Sequence, residues 1–232
     1  MILGIPVLNR PDLLAECVAS IDYPVRRLVI VDNSPTGEMG EVADAALPSC
    51  VESLFVTEPP ANLGFAASVN LVVSTHPAEP WWMFANADTR FAPGDLARVA
   101  AALDGDEPRC ARIIDWRLFG FNAATVARVG LWDPNYHPCF VEDCDWEYRC
   151  HLAGVPIQQL DGATTHVGSV TLGDARYARA NSRSYPANLD YHRRKWGGAP
   201  RGGERFTTPF DRGGSVADWT LDIARLAAQA WD

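Results

Sequence analysis

Short apolar runs alternate with amphipathic segments along the first hundred residues of the chain. Strands are predicted at residues 2–8, 27–31, 51–57 and 81–85, where apolar residues cluster. Helices are predicted at residues 12–21, with Asp12 as N-cap, and at residues 65–74 and 95–103. This alternation predicts an α/β fold with a mostly parallel central sheet and helices on both of its faces.

The second half of the chain has a less regular pattern. Strands are predicted at residues 112–121, 155–160 and 164–170, and helices at residues 123–129 and 142–152. Residues 177–196 are predicted to be only partly helical, because Pro186 would interrupt the helix. Residues 197–214 carry six glycines and two prolines, which indicates a loop. A C-terminal amphipathic helix is predicted from five apolar residues that share one helical face: Val216, Trp219, Ile223, Leu226 and Ala230.

The composition indicates a single globular domain. The chain has 232 residues, of which 47% are hydrophobic and 21% are charged, so it can bury one sizeable core. A net charge of −9 argues against nucleic acid as the main partner. Residues 176–212 are basic within this acidic chain, with nine Lys or Arg against three Asp or Glu. This segment is equally well interpreted as a binding surface for a phosphate-bearing ligand or as a solvated positive face.

Signals for other protein classes are absent from the sequence. No apolar stretch approaches the roughly 18 residues of a membrane span, and no signal peptide is expected. The six cysteines are therefore expected to be free thiols in a cytoplasmic protein, and their spacing disfavours structural zinc. The glycine-rich and G-x-S-x-G motifs of dinucleotide dehydrogenases, P-loop NTPases and α/β-hydrolases are missing.

Polar residues follow the predicted strands of the first half. Asn9, Asp32, Asn62 and Asp88 each stand just beyond an apolar run. Ligands of open α/β sheets bind at the carboxyl ends of the strands. These residues therefore predict a ligand site at that edge of the sheet.

Two acidic clusters suggest chemistry. Asp88, which ends the sequence Asn86-Ala87-Asp88 after a very apolar strand, suits a divalent cation that bridges phosphates, or else caps the following turn. Residues 140–147 (FVEDCDWE) place four carboxylates within six residues. This second cluster is either an acid-rich helix start or the presented carboxylate that a general base requires.

Taken together, the motifs resemble those of family 2 glycosyltransferases of the GT-A fold, close to small rhamnosyl- and galactofuranosyltransferase-like members. The similarity covers residues 1–197 in order. The motifs that carry it are IPVLNR (5–10), VDNS (31–34), NLGFAASVN (62–70), NAD (86–88), GLWD (130–133), FVEDCDWEYR (140–149), AG (153–154), HVGS (166–169) and YHRRKWG (191–197).

The resemblance implies a role for each matching residue. Asp143 is implied as the catalytic base, and Asp88 and His166 as ligands of Mn²⁺ or Mg²⁺. The acceptor side is implied for Glu142, Asp145 and Trp146. The donor site is implied for Pro6, Asn9, Asp32, Asn62, Gly64, Asn86, Asp88, Arg193, Arg194 and Lys195. Within this set, Asp32 would bind the nucleobase.

The resemblance further implies an inverting transfer from a UDP- or dTDP-sugar to a glycan, lipid-linked or protein acceptor. Residues 1–103 would form the nucleotide-sugar half and residues 104–197 the acceptor and catalytic half. Residues 198–232 would add the glycine-rich loop and the C-terminal helix, through which a homodimer is conceivable. The first acid of the family's D-x-D motif is Asn86 here. A degenerate GT-A scaffold that binds a glycan or a protein therefore stays an alternative, whereas a sugar nucleotidyltransferase would need a G-x-G loop after the first strand.

Overall fold

Strands and helices alternate along the chain in the computed structural model, which describes residues 1–168 and 175–214 and, of residues 175–181, only the backbone. The strands in these ranges are β1 Ile2–Val7, β2 Arg27–Asp32, β3 Leu54–Thr57, β4 Trp81–Ala85, β5 Thr89–Arg90, β6 Cys110–Ile113, β7 Leu118–Asn122, β8 Ile157–Gln159 and β9 Thr165–His166. The α-helices are α1 Pro11–Ala19, α2 Met39–Ala45, α3 Gly64–Thr75, α4 Asp95–Leu103, α5 Ala123–Val129, α6 Glu142–Leu152 and α7 Ala175–Trp196, and Asp115–Arg117 and Pro209–Asp211 are 3₁₀ turns.

Seven of the strands form one sheet in the order β3-β2-β1-β4-β7-β6-β8. Strand β7 runs antiparallel to both of its neighbours, and every other pairing in the sheet is parallel. Strands β5 and β9 form a separate antiparallel pair. The structure thus confirms a mostly parallel α/β sheet, and this sheet is continuous across residue 103 because β4 pairs with β7.

The helices cover both faces of the sheet. Alternate residues of each buried strand face opposite sides, so Leu28 and Ile30 pack with α1, α2 and α4. Val29 and Val31 pack on the other side with α3, and α5 and α6 join the same layer. Within the described ranges, no helix combines the length and the apolar character that crossing a bilayer requires.

The sequence prediction located most elements of the first half to within two residues. Helix α1 starts one residue before its predicted start, with Pro11 in the first turn and Arg10 before it in the left-handed region at φ 65°. Asp12 lies inside the helix and pairs with Arg10, so its prediction as N-cap was wrong. The strand predicted from residue 51 begins at Leu54, and the short helix α2 was not predicted.

The strand predicted at residues 112–121 is instead two antiparallel strands, β6 and β7. The chain reverses at Ile114 and Asp115, which adopt φ values of 52° and 51°. Left-handed turns usually show themselves in a sequence by glycine or asparagine, and this one has neither. The two apolar strands therefore looked like one.

Helix α7 passes through Pro186 without a break, contrary to the prediction. One side of it is buried at regular helical spacing, by Ser184, Asn188, His192 and Trp196. Because this face packs on the body of the protein, tertiary contacts offset the hydrogen bond that proline cannot donate. The strand predicted at residues 164–170 is confirmed at Thr165–His166, and the predicted C-terminal helix lies outside the described residues.

A buried ionic cluster joins α6 to α7. Asp145, which has no exposed surface, accepts hydrogen bonds from Lys195 Nζ at 2.6 Å, Trp196 Nε1 at 2.7 Å and Arg149 Nε at 2.9 Å. Lys195 Nζ also contacts Asp133 Oδ2 at 2.6 Å. Burial opposes ionisation of Asp145, but Lys195 and Arg149 outweigh it and hold its pKa well below the usual range.

We predict that Asp145→Asn lowers the free energy of unfolding by about 3 to 5 kcal/mol, because it leaves buried cations without their counter-charge. Urea unfolding measures this difference. Asp190→Asn is the matched control: its carboxylate pairs with Arg194, and both side chains are about 65% exposed. The control should cost less than about 1 kcal/mol. Equal losses in the two variants would contradict the assigned anchoring role.

Candidate functional site

A cavity of about 670 Å³ opens at the carboxyl ends of the parallel strands. Its walls come from the turns after β1, β2 and β4, the start of α3, and the segment 138–144 that leads into α6. The predicted site residues that line it are Pro6, Asn9, Asn62, Gly64, Asn86, Asp88, Glu142, Asp143 and His166. The structure therefore brings together both ends of the predicted site.

The turn after β1 places Asn9, whose side-chain amide nitrogen is unpaired within the described ranges, in the cavity wall. Asn9 adopts φ 57°, and its backbone N–H donates to Ser34 Oγ at 2.7 Å. Its side-chain Nδ2 is buried and has no hydrogen-bond partner among the described residues. A buried donor without a partner is unusual, so this amide is available to an acceptor atom of a ligand.

Gly64 and Asn62 shape the start of α3. The Asn62 side chain accepts from Gly64 N at 2.8 Å. Gly64 has φ 77°, and a Cβ added to it would stand 2.5 Å from the carbonyl oxygen of Pro138. Both the backbone conformation and the close approach therefore require glycine here.

Asp32, for which a nucleobase contact is predicted, is not among the residues that line the cavity. Its carboxylate is fully buried and accepts from Ser34 N at 2.8 Å and Met39 N at 3.3 Å. It thereby closes the turn between β2 and α2. The neighbouring Asn33 lines the cavity instead.

The β5–β9 pair brings His166 to Asp88. Thr89 and His166 are register partners, which places His166 Nε2 2.8 Å from Asp88 Oδ1 and 3.3 Å from Asn86 Nδ2. Gly168 N donates to the other Asp88 oxygen at 3.2 Å. Burial opposes ionisation of Asp88, but the hydrogen bond and charge of His166 outweigh it and lower its pKa.

Asp88 and His166 fit a divalent cation. Two neighbouring ligands in the octahedral shell of Mg²⁺, each about 2.1 Å from the ion, stand about 3 Å apart, which is close to the separation seen here. Among the described residues, no cluster of three or more His, Cys, Asp or Glu could hold a metal. A cation at this pair would thus depend on ligand oxygens and water for the rest of its shell.

Glu142 and Asp143 begin α6 at the cavity wall. The two residues before them, Phe140 and Val141, have φ values of 81° and 74°, a strained conformation for non-glycine residues. Asp143 is partly exposed, and its Oδ2 lies 3.5 Å from Nη2 of Arg201. Glu142 is buried, and its Oε2 has no hydrogen-bond partner among the described residues. Burial and the Asp143 charge raise the pKa of Glu142 to about 8.

The basic residues at the cavity differ from those predicted. Lys195 is buried in the ionic cluster with Asp145, and Arg194 is exposed and pairs with Asp190. Neither of them nor the exposed Arg193 lines the cavity; the arginines that do so in the described ranges are Arg10, Arg117 and Arg201. Arg201 belongs to the basic segment noted in the sequence, but its approach to Asp143 follows from the loop fold.

The predicted acceptor residues Asp145 and Trp146 are also buried away from the cavity. Trp146 stacks on Trp132 with ring centroids 5.2 Å apart, inside the helix–sheet core. Glu142, Asp143 and Cys144 line the cavity, whereas the next two residues of the helix, Asp145 and Trp146, are buried in the protein interior. Sequence reasoning missed Phe140 and Tyr185 as cavity residues, because aromatic residues also fill cores and only the fold exposes these two.

This geometry defines a class of protein: an α/β protein with a ligand cavity at the carboxyl ends of its parallel strands. The sequence model of glycosyl transferase family 2 matches residues 3–122, just over half of the chain, and the protein belongs to that family. A search of curated proteins found no match.

Solved GT-A glycosyltransferases share the fold at low sequence identity. Mannosyltransferase PcManGT from Pyrobaculum calidifontis, in complex with GDP-Man and Mn²⁺, has a TM-score of 0.56 and 15% identity over 68% of this chain and 54% of that one. TarS 1–349 from S. aureus, in complex with UDP-GlcNAc, has a TM-score of 0.55 and 15% identity over 71% of this chain and 57% of that one. Glucosyl-3-phosphoglycerate synthase from Mycobacterium tuberculosis, in complex with Mn²⁺, UDP and phosphoglyceric acid, has a TM-score of 0.57 and 14% identity over 81% of this chain and 76% of that one. The chain spans about half the length of the first two.

We predict that Glu142→Gln gains stability relative to the wild type as pH rises from 5 to 8. The folded state holds a proton on Glu142 up to about pH 8, whereas the unfolded chain releases it near pH 4.5. Rising pH therefore favours the unfolded wild type. The relative gain should be on the order of 2 to 4 kcal/mol, at about 1.4 kcal/mol per pKa unit. Urea unfolding across this pH range measures it, and a pH-independent difference would contradict it.

Proposed function

We propose that this protein transfers a sugar from a nucleoside-diphosphate donor to an acceptor hydroxyl, with the help of a divalent cation. The observation that carries the proposal is one cavity lined both by the Asp88–His166 pair and by Asp143. The Asp88–His166 pair suits a cation that binds a diphosphate, and Asp143 suits the role of proton acceptor. Family membership and neighbours solved with nucleotide sugars support the same reading.

The donor would occupy the side of the cavity formed by the strand ends. Asp88 and His166 would hold Mn²⁺ or Mg²⁺, which when bound neutralises charge on the diphosphate leaving group. Arg10, Arg117 and Arg201 would add positive charge from the same cavity. The unpaired Asn9 amide suits a carbonyl or phosphate oxygen of a uridine or thymidine diphosphate. The likeness to rhamnosyl- and galactofuranosyltransferase-like members stays a prediction, and the sequence does not name the donor sugar.

Asp143 would act as the general base. A sugar or other hydroxyl is a poor nucleophile, so Asp143 would accept its proton while the oxygen attacks the anomeric carbon. The bond to the diphosphate breaks as the new glycosidic bond forms. Attack from the face opposite the leaving group inverts the anomeric configuration, and a single carboxylate base is sufficient for such a direct displacement.

A degenerate scaffold that only binds a glycan or a protein is the second candidate. Asn86 supports it, because it lacks the charge of the first acid of a D-x-D motif and its Nδ2 faces His166 at 3.3 Å. The presence of Asp88, His166 and Asp143 at one cavity favours the enzyme. Turnover of any nucleotide sugar separates the two.

We predict that Asp143→Asn abolishes transfer and leaves nucleotide binding intact, because the amide keeps its size but cannot accept the proton. The assay is release of UDP, dTDP or GDP from a panel of their sugars. General bases contribute about 10²- to 10⁴-fold, so a loss of at least a hundredfold is expected. Asp190→Asn, an exposed carboxylate outside the cavity, should keep wild-type rates. Undiminished turnover in Asp143→Asn would exclude it as the base.

We predict that UDP or dTDP with Mn²⁺ raises the unfolding temperature of the wild type by roughly 5 to 11 °C at 100 times the dissociation constant. Asp88→Asn should lose the manganese-dependent part of this shift, since one of two protein ligands is weakened. Differential scanning fluorimetry with UDP, dTDP and GDP, each with and without Mn²⁺, measures it. The absence of a shift with every nucleotide would overturn the donor site and favour the scaffold.

A further inference from the structure

An aromatic ring stands exposed at the edge of the cavity. Tyr185 of α7 lines the cavity and is 53% exposed, and only Phe55 and Phe210 are also exposed among the large aromatic side chains of the described ranges. Its ring meets that of Phe140 edge to face, with centroids 6.0 Å apart and planes at 84°. Phe140 also lines the cavity. The two rings together form a small apolar wall of the cavity, of which the Tyr185 ring is the more exposed part.

This aromatic wall is held in place by buried hydrogen bonds. Asn188, one turn after Tyr185 and 4% exposed, donates from Nδ2 to the carbonyl oxygens of Cys139 and Phe140 at 2.9 and 3.0 Å. These bonds tie α7 to the strained residues that precede α6. Strain that the surrounding structure maintains is concentrated at functional sites, which is consistent with a binding role for this wall.

A polar group without a partner lies beside the wall. Glu142 lines the same cavity, two residues after Phe140, and its buried Oε2 lacks a partner among the described residues. Its raised pKa keeps the carboxyl protonated near neutral pH, so it can both donate and accept a hydrogen bond. Arg201 faces Asp143 and Glu147 rather than Glu142.

We infer that Tyr185, Phe140 and Glu142 form an acceptor subsite for a sugar ring, so that the acceptor is a carbohydrate. This inference rests on the proposed function, with Asp143 as the adjacent base. A pyranose has one apolar C–H face, which suits the ring of Tyr185, and a rim of hydroxyls, which suits the unpaired oxygen of Glu142. A serine side chain offers no such flat face, and a lipid chain would need more apolar surface than two rings provide.

Saturation-transfer NMR with methyl glycosides of glucose, galactose, mannose and rhamnose tests the inference. The titrations are run on the full chain with and without UDP and Mn²⁺, and acetyl-serine amide serves as the non-sugar probe. We expect at least one glycoside to bind the wild type and to bind Tyr185→Ala about tenfold more weakly, while Tyr185→Phe stays within about threefold. Glu142→Ala should lose binding that Glu142→Gln retains, because glutamine keeps a donor and an acceptor.

Phe55→Ala is the matched control, because Phe55 is a 44% exposed aromatic residue on β3 outside the cavity wall. It should bind the glycoside like the wild type. Binding of UDP without binding of any glycoside, or equal glycoside binding by Tyr185→Ala and wild type, would overturn the acceptor subsite. Preferential binding of acetyl-serine amide would overturn the carbohydrate class. A third outcome is that a glycoside binds, that Tyr185→Ala weakens this binding, and that no nucleotide binds. This outcome would support the subsite and contradict the proposed transfer.

Discussion

The buried charge of Asp145 constrains the half of the molecule that completes the cavity. Its carboxylate can stay ionised without water only while Lys195, Arg149 and Trp196 remain in contact with it. Asp145 lies in the first turn of α6, and Lys195 and Trp196 lie in the last turn of α7. The ionic contact therefore sets where both helices stand. Because the start of α6 and the middle of α7 both line the cavity, the position of its carboxylates and of its aromatic wall depends on this contact.

Two neighbouring acids at the start of α6 lie in different surroundings. Glu142 is buried and Asp143 is partly exposed beside Arg201, so the two carboxyls experience different solvation although they are adjacent in sequence. One charge at this helix start is easier to hold than two. The raised pKa of Glu142 suits hydrogen bonding to a substrate, whereas the partly exposed carboxylate of Asp143 suits proton removal in the proposed transfer.

The Asp88–His166 pair shows how the second half of the chain completes a site begun by the first. Asp88 follows β4, and His166 comes 78 positions later, on a two-residue strand that pairs with β5. The β5–β9 pair has two residues in each strand. It brings one imidazole nitrogen to one carboxylate oxygen. A divalent cation with diphosphate oxygens in its shell is consistent with a site of only two protein ligands.

The sequence by itself determined the layered α/β architecture, because buried parallel strands are short apolar runs and their helices show a 3.6-residue period. It also indicated the strand-end location of Asn9, Asn62 and Asp88, since polar residues that follow apolar strands must come to that edge. Only the tertiary structure decided which charged residues face the cavity. Asp32, Asp145 and Lys195 are buried by capping and ion pairing, and Arg201 and Tyr185 reach the cavity through loop and helix packing. Asp32 is held by the nearby Ser34 and Met39, but the other outcomes depend on contacts between residues far apart in the chain, which local patterns do not encode.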